Sequence, residues 1–267
     1  MKQFIKILRF ILRLLKRILI PSTSRFIRLS PNHIGKIRFY DRHFKKFFFV
    51  KSRNYIDSVT ADQIYTFNDY DINFLLRADE IREKYKLMIR SGLTPLIIDC
   101  GANIGLSARY FSDEFPEALV IAIEPDGNNL KAAKDNCKNY SNIEFFKAAI
   151  GAESGKVNID NFDVDPNSYR VTRSDSENAL DVLTIDSILN KYVNTQLFIT
   201  KIDIEGFEDD LFSSNTDWID DCLLLIIELH DWMMPKTANS NNFLKAISAK
   251  KRDFVYKEEN IFSIHND

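Results

Sequence analysis

The sequence predicts an α/β fold, a doubly wound and mostly parallel seven-stranded sheet of Rossmann-like type with a terminal antiparallel hairpin. Three observations carry that reading. Leu96-Ile97-Ile98 is an apolar run of the kind buried on both sheet faces, and it runs into Asp99-Cys100-Gly101-Ala102-Asn103-Ile104-Gly105 and a helix start. Further apolar runs at 119–123, 143–146, 197–202 and 223–229 alternate with helical patterns, as crossover-linked parallel strands do. The runs 254–256 and 261–264, split by a polar turn, read as the closing hairpin.

A chain of 267 residues, 45% hydrophobic and 28% charged, can bury one substantial core with appendages. Its net charge of −2 conceals an asymmetry. Residues 1–53 hold fifteen Lys and Arg against the single acid Asp41, a net of +14, and the remainder holds 21 bases against 37 acids, a net of −16. Cys100, Cys137 and Cys222 are scattered without metal spacing and read as reduced thiols in a cytosol.

In residues 1–20, Lys2, Lys6, Arg9, Arg13 and Lys16 recur at steps of four and three, which predicts a basic amphipathic helix ended by Pro21. Its apolar runs are too short to span a bilayer or to serve as a secretory signal. Lying on an anionic membrane surface is the expected role, and packing on the body the alternative. Residues 35–53 read as a hairpin with a buried Phe face and a wet basic face, which could extend the membrane-facing charge. Nucleic-acid stacking by the same residues is not expected. His33 and His43 read as surface residues. Residues 69–91 have helical spacing and read as a helical cap before the first strand.

The glycine turn selects the ligand. Gly101 and Gly105 would let backbone approach a ligand closely. They are spaced Gly-x-x-x-Gly, not the Gly-x-Gly-x-x-Gly of dinucleotide sites, and no phosphate-cradling loop with Lys-Ser/Thr occurs. Asp99 suits an ammonium better than a pyrophosphate, and Glu124, at the end of the second strand, suits ribose hydroxyls. An amino-acid end, a ribose and no phosphate describe S-adenosylmethionine.

Asp99-Cys-Gly-Ala-Asn-Ile-Gly105, then Glu124-Pro-Asp126, then Lys201-Ile-Asp-Ile-Glu-Gly-Phe-Glu208 resembles the FkbM family of S-adenosylmethionine-dependent methyltransferases, from about residue 93 to the C-terminus. The resemblance implies a class I methyltransferase sheet, with residues 93–267 as the methyltransferase domain. Ahead of it lie the basic helix (1–28) and a hairpin with helical cap (29–92). It places Ala148 beside the adenine, and it implies an oxygen acceptor. Asp99, Gly101, Asn103, Gly105, Glu124 and Ala148 are the expected cofactor contacts.

The remaining elements follow in order. Leu106–Phe115 and Asn128–Asn139 read as helices, 155–179 as hairpin and loop over the pocket mouth, and 181–186 as a strand with Asp186 capping a short helix. The strand at 197–202 delivers Asp203 and Glu205 to the sheet edge, and the next delivers Glu228 and His230. A hydroxyl nucleophile must shed its proton. Asp203, Glu205 and His230 are the candidate catalytic residues, His230 for its neutral-range pKa. Asp203 and Glu205 could instead cap the following helix. Asp203 with Glu228 could hold Mg²⁺, a minority expectation beside a site with no metal. The sequence thus predicts O-methylation of a glycan or lipid-linked saccharide by a cytoplasmic protein peripheral to the inner membrane face. A non-catalytic S-adenosylmethionine-binding scaffold is the rival, and a nucleotide-dependent oxidoreductase a second.

Overall fold

The computed structural model describes residues 25–161, 169–174, 176 and 179–266, and the expected helix at 1–20 lies outside them. The chain forms two compact units, Met1–Asp71 and Ile72–Asp267.

In the first unit, β1 (Phe26–Arg28), β2 (Gly35–Asp41) and β3 (Lys46–Ser52) pair antiparallel in that order. The strand at 26–28 corrects the expected helix end at 28, since Phe26 pairs with Asp41 and Arg28 with Phe39. Helix α1 (Tyr55–Tyr65), which the sequence reading did not anticipate, packs on this sheet, and Asn54 caps it by accepting from Asp57 N at 2.9 Å. The rings of Phe26, Phe39, Phe48 and Tyr65 meet at 5.0–5.8 Å. The expected division into a Phe face and a basic face is only half right. Consecutive residues of a strand point to opposite faces, so the Phe47-Phe48-Phe49 run must split. Phe48 is buried, while Phe47 and Phe49 share the wet face with Lys36, Arg38 and Lys51.

The second unit opens with a 3₁₀ turn (Ile72–Phe74) and helix α2 (Ala78–Arg90), so the cap is two pieces. Tyr85 of α2 packs on Phe115 and Phe198 at 5.1 and 5.4 Å, so the cap helix belongs to this unit and the boundary lies at residue 71, not 92. Next come β4 (Thr94–Cys100), α3 (Leu106–Glu114), β5 (Leu119–Ile123), α4 (Gly127–Asn136), β6 (Ile143–Phe146) and β7 (Ala149–Ile150). They are followed by β8 (Gly155–Asn161), β9 (Tyr169–Arg173), β10 (Leu180–Leu183), α5 (Ile185–Lys191) and β11 (Thr195–Ile202). Short turns α6 (Glu208–Leu211) and α7 (Trp218–Asp221), β12 (Leu224–Glu228), α8 (Asn241–Ser248), β13 (Arg252–Lys257) and β14 (Asn260–His265) complete the chain.

The main sheet has the order β13-β14-β12-β11-β4-β5-β6. Strands β12, β11, β4, β5 and β6 are mutually parallel, and β14 runs antiparallel to both neighbours. Winding reverses between β4 and β11, and the crevice beyond the strand ends at such a reversal is where α/β sheets bind ligands. A second sheet, β7-β10-β8-β9, contains the expected hairpin, with residues 162–168 outside the described set. Thr184, not Asp186, caps α5, through a reciprocal bond pair with Ser187.

Arg252 closes the antiparallel edge. It is buried and donates to the carbonyls of Ile219, Cys222, Leu223 and Ser263 and to Ser263 Oγ, at 2.8–3.3 Å. Arg252→Met would take a donor from four buried carbonyls, of which Ile219 O and Leu223 O keep a backbone N–H, so we expect urea denaturation to show a loss of about 3 kcal/mol.

Candidate active site

The end of β4 and the turn after it form one wall of a cleft. Gly101 N and Ala102 N both donate to Ile123 O, at 3.0 and 2.9 Å, folding the turn against β5. Gly101 has φ +86°, and a Cβ there would lie 1.8 Å from Asp203 O. Gly105 has φ +80°, and its Cβ would meet Ala133 Cα at 2.9 Å. Both glycines therefore serve close approach of chain to chain. Gly101 also lines the cleft, whereas Gly105 sits between α3 and α4 and is not part of the lining.

Glu124 is buried at the end of β5. Its carboxylate accepts from Asn103 N at 2.8 Å and Asp126 N at 3.0 Å, and Asn129 Nδ2 stands 3.4 Å away. Burial pushes its pKa up to about 7 against those bonds. Asn103 takes the left-handed conformation, φ +48°, and its Oδ1 is buried without a hydrogen-bond partner in the described structure. An orphan acceptor beside Glu124, Pro125, Asn129 and the Ala148–Ile150 strip is what a ligand bearing N–H or O–H groups would satisfy. The space within the cleft measures about 60 Å³ and opens to solvent at its mouth.

Asp99 does not face this cleft. It is fully buried, accepts from Ser107 Oγ at 2.6 Å and pairs with Lys201 Nζ at 3.1 Å. The strand ending carries it beneath the turn, so the expected ammonium contact becomes an internal ion pair. Lys201 also donates to Gly101 O at 2.7 Å and lies 3.4 Å from Asp203 Oδ2. A lysine inside the apolar run Phe198-Ile-Thr-Lys-Ile202 was the signal for it, since an unpaired buried ammonium is costly.

The opposite wall is acidic. Asp203 and Glu205 line the cleft, Glu205 at φ +55°, a conformation an acid seldom adopts. His230 lies behind them and is itself buried. Its Nε2 is 3.5 Å from Asp203 and Glu228 and 3.8 Å from Glu205, and its Nδ1 meets Glu208 Oε1 at 2.8 Å. Glu208, fully buried, also accepts from Asn239 Nδ2 at 2.6 Å. The sequence reading gave Glu208 and Asn239 no role, and nothing in spacing alone distinguishes Glu208 from its acidic neighbours at 209 and 210. Burial opposes charge on His230, but the Glu208 bond, the Glu228 carboxylate and the charge of Asp203 outweigh it and push the pKa up to about 11. That shift favours the protonated ring over the neutral-range base expected at His230. Burial and the Asp203 charge push Glu205 up to about 8, and burial also raises Glu228. One ligand atom each from Asp203, Glu228 and His230 lie within 4.8 Å of one another, the set that could hold a cation if the imidazolium gave up its proton.

Residues 99–256 match the methyltransferase FkbM domain. The chain belongs to the FkbM methyltransferase family. It is similar to the 2-O-methyltransferase NoeI of Sinorhizobium fredii (strain NBRC 101917 / NGR234), 21% identical over 155 residues, covering 51% of this chain and 64% of that protein. Among solved structures it overlaps a precorrin-6y C5,15-methyltransferase from Geobacter metallireducens (11% identity, TM-score 0.37, 69% of this chain and 86% of that one). It also overlaps a methyltransferase from Geobacter sulfurreducens (14%, TM-score 0.36, 78% and 88%). The FkbM match begins at Asp99 and so takes in the glycine turn, both cleft walls and Glu208.

Glu124, Glu205 and His230 each hold a proton more tightly folded than unfolded. Stability linked to the carboxyls is complete below about pH 4.5 and is lost as pH rises through about 7 and 8. That linked to His230 is complete below about 6.5 and lost toward 11. Urea denaturation of the ligand-free protein should give a lower unfolding free energy at pH 8.5 than at 5.5, and Glu124→Gln with Glu205→Gln should flatten that slope.

Proposed function

We propose that the chain transfers the methyl group of S-adenosylmethionine to a hydroxyl of a glycan or lipid-linked saccharide. The observation that carries this reading is that one cleft joins an ungratified acceptor, a ribose-type carboxylate and two half-exposed carboxylates of raised or crowded charge. S-adenosylmethionine supplies an electrophilic methyl group on a sulfonium, and the protein supplies orientation and electrostatics. Glu124 would receive the ribose hydroxyls, Asn103 Oδ1 a donor of the same molecule, and Ala148 one face of the base. Asp203 and Glu205 would receive the acceptor hydroxyl, and Glu205, whose proton affinity lies near neutral, takes its proton as the oxygen–carbon bond forms. His230 keeps its own proton and offsets the crowded acids, with Glu208 and Asn239 fixing the ring. The 2-O-methyltransferase relative supports an oxygen acceptor. Paired carboxylates suit a polyhydroxylated one, since each can accept from neighbouring hydroxyls. Residues 1–20 would keep the protein at an anionic inner membrane face.

A scaffold that binds the cofactor without turnover is separated from this reading by kinetics. Calorimetry with S-adenosylhomocysteine should show binding, weakened at least tenfold by Glu124→Ala. Glu205→Gln should lower kcat by about 10²–10⁴-fold in methyl-uptake assays on saccharide acceptors while leaving that affinity unchanged. Equal turnover would remove Glu205 from the chemistry. Chelation should leave turnover intact, and loss restored by Mg²⁺ would reassign Asp203, Glu228 and His230 to a cation.

A further inference from the structure

The outer face of the N-terminal sheet combines two properties that surfaces of folded proteins seldom join. Alternation along β2 and β3 sends Ile37, Phe39, Phe48 and Val50 inward. It sends Lys36, Arg38 and Tyr40, with their cross-strand partners Lys51, Phe49 and Phe47, outward. Phe47 is 65% exposed and Phe49 45%, and Phe44, in the turn between the strands, is 43% exposed. The turn adds Arg42 and Lys45. Asp41, the acid of this hairpin, is on the inner face and is tied to Arg25 at 3.0 Å, so it does not dilute the outer charge. Folding gains nothing from leaving three phenylalanines in water, and a patch of that kind marks an interaction surface.

We propose that this face of the β2–β3 hairpin docks on an anionic lipid bilayer, its bases on the head groups and Phe44, Phe47 and Phe49 at the boundary with the acyl chains. The chemistry matches on both counts. Uniform positive charge is attracted to an anionic leaflet, and aromatic rings favour the interfacial depth. Nucleic acid shares the charge requirement, but stacking needs open ring faces. Arg38 lies 5.1 Å and Lys36 5.9 Å from the centroid of Phe49, and Tyr40 lies against Phe47 at 4.9 Å. The ring faces are thus engaged by their own neighbours, while much of each ring's surface remains exposed for an apolar layer to cover. This surface is distinct from the helical segment expected at residues 1–20, and the inference stands whether or not the second unit transfers methyl groups.

The test uses the full chain and sedimentation with phosphatidylcholine vesicles, with and without 30 mol% phosphatidylglycerol. Binding is expected to the anionic vesicles, weakening as salt rises. Each of Lys36→Gln, Arg38→Gln and Lys51→Gln should lower the partition coefficient about fivefold, the equivalent of about 1 kcal/mol per charge. Phe44→Ser with Phe47→Ser should lower it further without moving Tm, because neither ring is in the core. Hydrogen exchange on the unaltered protein gives an independent reading, since residues 42–49 should gain protection on anionic vesicles only. The proposal fails under any of three results: equal binding to both vesicle types, variants that bind as the parent does, or no added protection at 42–49. Retention by a single-stranded RNA oligonucleotide in place of vesicles would overturn it in favour of nucleic acid.

Discussion

A single buried ammonium joins the two halves of the site. Lys201 sits directly opposite Asp99 in the β4–β11 register, where the winding of the sheet reverses. From there it reaches Asp99 Oδ1, the carbonyl of Gly101 and the carboxylate of Asp203. The first two belong to the end of β4 and the turn that would receive the cofactor, and the third to the loop that would receive the acceptor. Burying a charge is unfavourable unless its partners are complete, and the geometry of both loops is what completes them. The same closeness explains Gly101, because the turn cannot come within reach of Lys201 with a Cβ pressed against Asp203 O. Positioning for the proposed in-line transfer would thus rest on an ion pair beneath the cleft floor.

Behind the acidic wall the electrostatic logic runs through His230. Four carboxylates surround one imidazole, and together they would repel one another strongly without a cation among them. Glu208 and Asn239 lock the ring so that Nε2 points toward Asp203, Glu205 and Glu228. The raised pKa of the imidazole makes it a counter-charge to these acids, and in the proposed reaction the acceptor's proton would pass to Glu205 instead. Environments that push neighbouring titratable groups apart in this way are how acid and base duties are divided within one site.

The sheet was legible because its strands are short apolar runs separated by turn residues, although β11 lies beside β4 and not beyond β6, so chain order is not sheet order. The cleft residues Gly101, Asn103, Glu124, Ala148, Asp203 and Glu205 were legible for the same reason, since they stand at strand ends. Three things were not. A Gly-x-x-x-Gly spacing announces close approach without saying to what, and at Gly105 the neighbour is another helix. An acid at a strand end faces either the cleft or the floor according to pleat and turn, and Asp99 took the floor. An imidazole's intrinsic pKa says little once its neighbours are fixed by tertiary packing, and those around His230 come from segments up to 27 residues distant. Helix α1 was missed because its sequence has little amphipathic contrast, and what holds it is the Asn54 cap and the ring cluster around Tyr65.

These features together bear on why the cleft is acidic at all. The donor carries a positive charge on sulfur that vanishes when its methyl group leaves. In the proposed reaction the ionised form of Glu205 would lose its negative charge in the same event by taking the acceptor's proton. The net charge enclosed by the walls is therefore the same before and after, and the buried groups Lys201, Glu208 and His230 need not readjust. A neutral cleft would have to bury a lone sulfonium beforehand, and a neutral base would leave a lone cation in its place afterwards. Carboxylates backed by an imidazolium avoid both costs, which makes the acid-rich wall the electrostatic counterpart of a cationic donor and a neutral hydroxyl acceptor.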